Sequence, residues 1–170
     1  LSEARSRVEG PLLGGSGADA LRQLLSPLGF DMEVASNSVG VASAIKMCRS
    51  VFMKGLDAIL MECMVAAETA GVTDRIVASL QVTMPEVNWP VFIGKKLGGA
   101  AQHSGRRAGE MREVAATLRE LGVEPLMVES TVKRHREMGA IGKLDTVRAA
   151  LKSGRAAILG AITATAKNRH

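Results

Sequence analysis

The chain has 170 residues, 46% hydrophobic, 23% charged and 2% aromatic, with a net charge of +5. That balance excludes a disordered chain and allows one domain with a core, which must be built from Ala, Leu, Val, Ile and nine Met because Tyr is absent and Trp89 is the single Trp. The basic excess invites a nucleic-acid partner. However, the cations are scattered among acids except in Lys133-Arg134-His135-Arg136 and Lys167-Asn168-Arg169-His170, and base-stacking aromatics are nearly missing, so no nucleic acid is expected.

Residues through Gly10 read as polar and irregular. Pro11-Leu12-Leu13 is a short apolar run that stops at Gly14-Gly15-Ser16-Gly17, a strand-to-helix turn that matches neither GxGxxG nor GxxxxGK[ST]. A helix is predicted over 18–26, with Leu21, Leu24 and Leu25 on one face and Asp19 in the first turn, where an anion is favoured. Pro27 and Gly29 end it, and Phe30 to Ala35 alternates as a strand. Strand, helix, strand is the trailing edge of an α/β domain. From Val41 to Ala70 no Pro occurs and apolar residues follow a helical period, so one long helix is predicted, with Gly55 inside it and Gly71 as its stop. Thr73 or Asp74 should cap a helix to about Val82.

After a break at Pro85 to Pro90, a helix to Gly98 is predicted, set off at Gly98-Gly99 from another over 103–121. Helices over 125–138 and 144–151 follow, and the stretch from Arg155 to His170 reads as a loose helix or a frayed end. The expectation is therefore a mainly α chain: a βαβ remnant over 1–38, an all-helical domain over 39–152 and a tail over 153–170.

Cys48 and Cys63 lie in the long helix with no CxxC or Cys/His spacing, so two reduced, buried thiols and no metal are expected. The most apolar run, Val51 to Ala67, is broken by Lys54, Asp57 and Glu62, which argues against a membrane span. With no signal-peptide pattern, a cytoplasmic protein is expected, and the initial Leu suggests a fragment, a processed chain or an unusual start.

On the long helix, Lys46, Ser50, Lys54 and Asp57 share an arc of roughly 80°, with Arg49 beside them. The plain reading is the wet face of an amphipathic helix. The functional one has Lys46 facing a cleft, where an apolar wall or a nearby cation would lower its pKa and let it act as a general base. Glu62 falls well away and reads as a structural carboxylate at a helix–helix contact. His103, Arg106, Arg107 and Glu110 share a face at a predicted helix start. They could meet a carboxylate or phosphate, or form an ion-paired face with Glu110 bound to Arg106 or Arg107.

The run from Gly40 to Lys46, opening a long helix after a βαβ-like tail, resembles the junction G-x-G-x-x-x-K-x-x-x-N of the β-hydroxyacid dehydrogenase superfamily, which includes 6-phosphogluconate and 3-hydroxyisobutyrate dehydrogenases. Gly40 and Lys46 fit, whereas Ala42 replaces the second Gly and Ser50 the Asn. The wording SAIKMCRSVFMKGLDAILMEC over 43–63, with HSGRRAGEMREVAATLRELG over 103–122, is closer to a phosphogluconate-dehydrogenase-like, NAD-binding branch with its own helical C-terminal domain.

The resemblance implies that an N-terminal Rossmann domain holds NAD or NADP while the helical domain closes over a small β-hydroxyacid and forms a homodimer. It implies that Lys46 accepts the substrate hydroxyl proton and that Ser50 contacts substrate; His103 and Arg106, mainly on charge, would meet its acidic end. The dinucleotide fingerprint is absent from these 170 residues, so the chain alone is expected to bind no dinucleotide well and to have little activity. Two alternatives stand beside this: a non-enzymatic helical dimerisation module left by a truncated dehydrogenase gene, and a basic helical domain for duplex nucleic acid.

Overall fold

The structure, a computed structural model, describes residues 10–167, so the irregular start expected before Gly10 and the basic end at 168–170 lie outside the described residues. The chain forms two compact units, one up to Arg49 and one from Ser50 onward.

In the first unit, strand β1 (Leu12–Gly14), helix α1 (Ala18–Leu25) and strand β2 (Glu33–Ser36) form a β-α-β unit. β1 and β2 pair in parallel, Leu12 opposite Glu33 and Leu13 opposite Val34, with an irregularity before Gly14. α1 runs into a short 3-10 turn containing Pro27, closed by Gly29 at φ +85°. Gly40, at φ +91°, turns the chain into helix α2 (Val41–Thr69); a left-handed residue is needed there, which gives the first Gly of the junction pattern a backbone reason.

The second unit is helical throughout: the rest of α2, then α3 (Thr73–Thr83), α4 (Trp89–Glu120), α5 (Leu126–Ile141), α6 (Asp145–Ala150) and α7 (Arg155–Lys167). Its core joins Leu60, Met61 and Met64 of α2 to Trp89, Ile93 and Leu97 of α4, Met138 and Ile141 of α5, and Ile158, Leu159 and Ile162 of α7. Each such side chain contributes about 1.5–3 kcal/mol by leaving water. The aliphatic and Met-rich core expected from composition is therefore what forms, with Trp89 set edge-on to Phe92 at 5.6 Å between ring centroids.

Three local expectations are corrected. Gly98-Gly99 does not divide a helix: α4 is continuous for 32 residues. Two glycines cost about 2 kcal/mol of helix propensity, and the burial of Ile93, Leu97 and Ala100 on either side outweighs that. The stretch 155–167 is not loose, because α7 places Ile158, Leu159 and Ile162 in the core. Neither Thr73 nor Asp74 caps α3; Val72 holds that position with no side-chain bond, and the Thr73 hydroxyl donates to the Glu68 carboxylate at 2.7 Å.

α4 and α5 approach closely where α5 carries Gly139. A Cβ there would lie 2.8 Å from the backbone nitrogen of Gly105, and one at Gly142 would lie 2.0 Å from the carbonyl oxygen of Ala101. Among the described residues no helix is long and apolar enough to cross a membrane.

Candidate functional site

Along α2 of the second unit, the polar arc is not simply wet. Ser50 is half-buried, Lys54 keeps 20% of its side chain exposed, and Asp57 is 4% exposed. Each is held by α4. The Lys54 ammonium donates to Ser50 Oγ at 3.1 Å and makes an ion contact with Glu110 at 3.3 Å. Glu110 also pairs with Arg106, one turn earlier on α4. Two of the expected substrate residues, Ser50 and Arg106, are thus brought into one chain of contacts through Lys54 and Glu110.

A second charged set lies deeper. Arg107 Nη1 donates to Asp57 Oδ2 at 2.9 Å. Lys96 Nζ sits 2.7 Å from Oδ1 as an ion contact without hydrogen-bond direction, and it also lies 5.3 Å from the centre of the Phe92 ring. Arg107 reaches Asp57 by running back along α4 over Gly99, where a Cβ would stand 3.3 Å from its guanidinium. Both sets have the same arithmetic: two cations share one carboxylate.

Between them is a buried imidazole. His135 of α5 is 0% exposed. Its Nε2 faces the Lys54 carbonyl at 3.2 Å and must donate there, so in the neutral ring Nδ1 accepts from the Ser104 hydroxyl at 2.9 Å. Burial holds this ring below its ordinary pKa of 6.5, with Arg107 and Lys54 adding to the lowering and the bond to the Lys54 carbonyl and the Asp57 charge opposing it.

The remaining expected residues are placed as follows. Lys46 is exposed on α2 within the first unit. His103 is exposed and lies well inside α4 rather than at a helix start, so the dipole argument for an anion at that point is lost. Arg107, expected to face a ligand or Glu110, is committed to Asp57 instead. Glu62 does what was expected of a structural carboxylate, pairing with Arg134 across α2 and α5. Cys48 is exposed and Cys63 half-buried, so the expectation of two buried thiols fails.

Sequence reasoning missed His135, Ser104 and the depth of Asp57. A signal for His135 existed: Val128, Thr131, Val132, His135 and Met138 recur at helical spacing, and all are buried. The basic run around it was read as a surface cluster. Nothing comparable marks Asp57, whose burial follows from cations eleven residues apart on α4.

The described residues do not fit a dinucleotide. The turn at Gly14-Gly15-Ser16-Gly17 would have to receive the pyrophosphate, yet the space left by Gly14 is filled by the first turn of α2, with Ala42 Cβ 3.0 Å from where a Cβ would be. Among the described residues no group of three His, Cys, Asp or Glu could hold a metal ion. An apolar cavity of about 30 Å³ lined by Met61, Met138 and Ile141 is too small for an organic ligand.

Residues 67–138 match DUF1932, a domain of unknown function. An uncharacterised 28.5 kDa protein in the 7S RNA 5′ region of Methanothermus fervidus is 30% identical over 120 residues, which is 71% of this chain and 47% of that protein. Among solved structures, a conserved hypothetical protein from Sinorhizobium meliloti 1021 is 30% identical with a TM-score of 0.75, over 89% of this chain and 50% of the other. The conserved protein MTH1747, of unknown function and described as structurally similar to 3-hydroxyacid dehydrogenases, is 28% identical with a TM-score of 0.68, over 76% of this chain and 49% of its own. The chain thus spans about half the length of these relatives.

Proposed function

Because its helical part carries a DUF1932 domain, the C-terminal helical domain of 3-hydroxyacid dehydrogenase-like proteins, we propose that the chain is the C-terminal portion of an NAD(P)-dependent oxidoreductase acting on a small β-hydroxyacid. Lys46 is the general base for the substrate hydroxyl, and Ser50, His103 and Arg106 are on the substrate side. The observation that carries this is the likeness, over 76% of the chain, to a structure itself described as similar to 3-hydroxyacid dehydrogenases. Lys46 stands on α2 one turn ahead of Ser50, the spacing that the junction pattern sets between its Lys and its last position.

An amine at Lys46 takes the hydroxyl proton as the carbon–oxygen bond gains double-bond character. Arg106 and His103 present positive charge or donors to the acid group. NAD or NADP, when bound, supplies the hydride acceptor. Since these residues offer it no cradle, its site is assigned to the other half of a protein of the relatives' length. We include a homodimer built on the helical unit, whose α2 leaves Phe52 and Ile59 exposed at 69% and 57%.

The test is nicotinamide reduction by the full-length protein, nucleotide domain included, across a panel of short β-hydroxyacids with NAD and with NADP. Lys46→Ala should lower kcat by about 10²–10⁴-fold with unchanged circular dichroism. Turnover within threefold of the parent would sink the assignment. The 170-residue chain by itself should show no turnover; rates ordinary for a dehydrogenase would refute the placement of the cofactor site.

A further inference from the structure

We propose that Lys54 is a further carboxylate-recognising residue of this site, beside Arg106, with the Ser50 hydroxyl as its second donor and Glu110 as the residue that positions it. The inference rests on the dehydrogenase reading only for the identity of the ligand, a small hydroxyacid monoanion.

An ammonium has three N–H donors. That of Lys54 uses one on Ser50 Oγ at 3.1 Å and turns another toward Glu110 at 3.3 Å, which leaves a third. Ser50 accepts through its oxygen, so its own hydrogen remains to donate. The two side chains are one helical turn apart on the same face of α2, so a free N–H and a free O–H lie side by side, the arrangement that the two oxygens of a carboxylate accept.

The charge balance agrees. Glu110 is shared between Lys54 and Arg106, so two cations answer one carboxylate and one positive charge is left over. Lys54, at 20% side-chain exposure, is largely desolvated, which strengthens its attraction for an anion. The Asp57 set has the same arithmetic, but its carboxylate keeps only 5% of its side chain exposed and neither of its cations more than 20%. At the Lys54 set, Glu110 keeps 32% and Arg106 71%, so this end opens to solvent.

The experiment uses the 170-residue chain, ¹⁵N-labelled and titrated with sodium 3-hydroxybutyrate at constant ionic strength, with 3-hydroxybutyramide as the uncharged control. Saturable amide shifts centred on Ser50, Lys54 and Arg106 are expected for the acid and not for the amide. Lys54→Met should weaken binding about tenfold, the loss of one charge-assisted hydrogen bond, and Lys54→Arg should restore it to within threefold. Thermal unfolding of both variants checks that the fold is retained. No saturable shift, shifts centred elsewhere, or a Lys54→Met chain that binds like the parent would each overturn the proposal.

Failure of the dehydrogenase reading looks different. Absence of nicotinamide reduction by the full-length protein across the hydroxyacid panel would remove the reaction and leave acid binding by the 170-residue chain intact.

Discussion

Asp57 offers a quantitative test of the charged seam between α2 and α4. The carboxylate is 4% exposed and is shared by Lys96 and Arg107, whose side chains are 18% and 20% exposed. Asp57→Ala deletes the shared partner and strands two mostly buried cations. Removing one side of a buried pair costs about 3–5 kcal/mol; because both cations keep some contact with water, the lower end, about 3 kcal/mol, applies. The assay is urea unfolding of the 170-residue chain followed by far-UV circular dichroism. The midpoint should fall at unchanged m-value, since the area exposed on unfolding is the same. A companion variant gives the sign of the reasoning. Asp57→Leu combined with Lys96→Met and Arg107→Met removes the charges together and should recover most of the loss, because apolar replacement of a complete buried set is close to neutral. A loss below about 1 kcal/mol in Asp57→Ala, or a triple variant no better than the single one, would show that water and not Asp57 satisfies these cations.

Gly139→Ala should destabilise by about 1–3 kcal/mol, because its Cβ would press on the backbone of Gly105 at 2.8 Å. Gly105→Ala, whose Cβ meets nothing within 4 Å, should stabilise α4 by about 1 kcal/mol in the same unfolding assay. The lowered pKa of His135 sets a pH dependence: the unfolded chain takes up a proton more readily than the fold, so this contribution is complete above 6.5 and is lost as pH falls below it. Urea midpoints measured from about pH 7.5 down to about pH 5 should decline, and His135→Gln should flatten that decline; an unchanged slope in the variant would exclude the imidazole as its source. Alkylation with iodoacetamide followed by mass spectrometry should modify exposed Cys48 ahead of half-buried Cys63; the reverse order would contradict their placement.

The elements most legible in the sequence were those with a single strong local cause. The long helix from Val41 was marked by its period and by the absence of Pro, and the strand-helix-strand start by Gly14-Gly15-Ser16-Gly17 and Pro27. The likeness to β-hydroxyacid dehydrogenases, read from residues 43–63 and 103–122, is borne out by the DUF1932 match and by the MTH1747 structure. What failed did so where distant contacts override a local rule. Gly98-Gly99 reads as a break until Leu97 and Ala100 are seen packed in the core. Asp57 reads as a wet carboxylate until Lys96 and Arg107 arrive from another helix. A wheel assigns a face of its own helix; it carries no information about which residues will cover that face.

That distinction bears on why the seam exists. Stability in the second unit has an evident source in the cluster of Met, Leu, Ile and Trp89 around α4. Buried ion pairs add little to such a core, since desolvation offsets most of their attraction. A fold selected for stability alone would fill the α2–α4 contact with more aliphatic side chains. Instead it holds two carboxylates, Asp57 and Glu110, each shared by two cations, with the neutral imidazole of His135 between them. The Asp57 set is the more buried of the two and ties α2 to α4. The Glu110 set is the same device left open at one end, where Glu110 and Arg106 meet solvent. A cation-rich opening beside a more buried copy of itself suits an anion site: the charge of Lys54 is held by Ser50 and Glu110 before a ligand arrives, which lowers the cost of ordering it on binding.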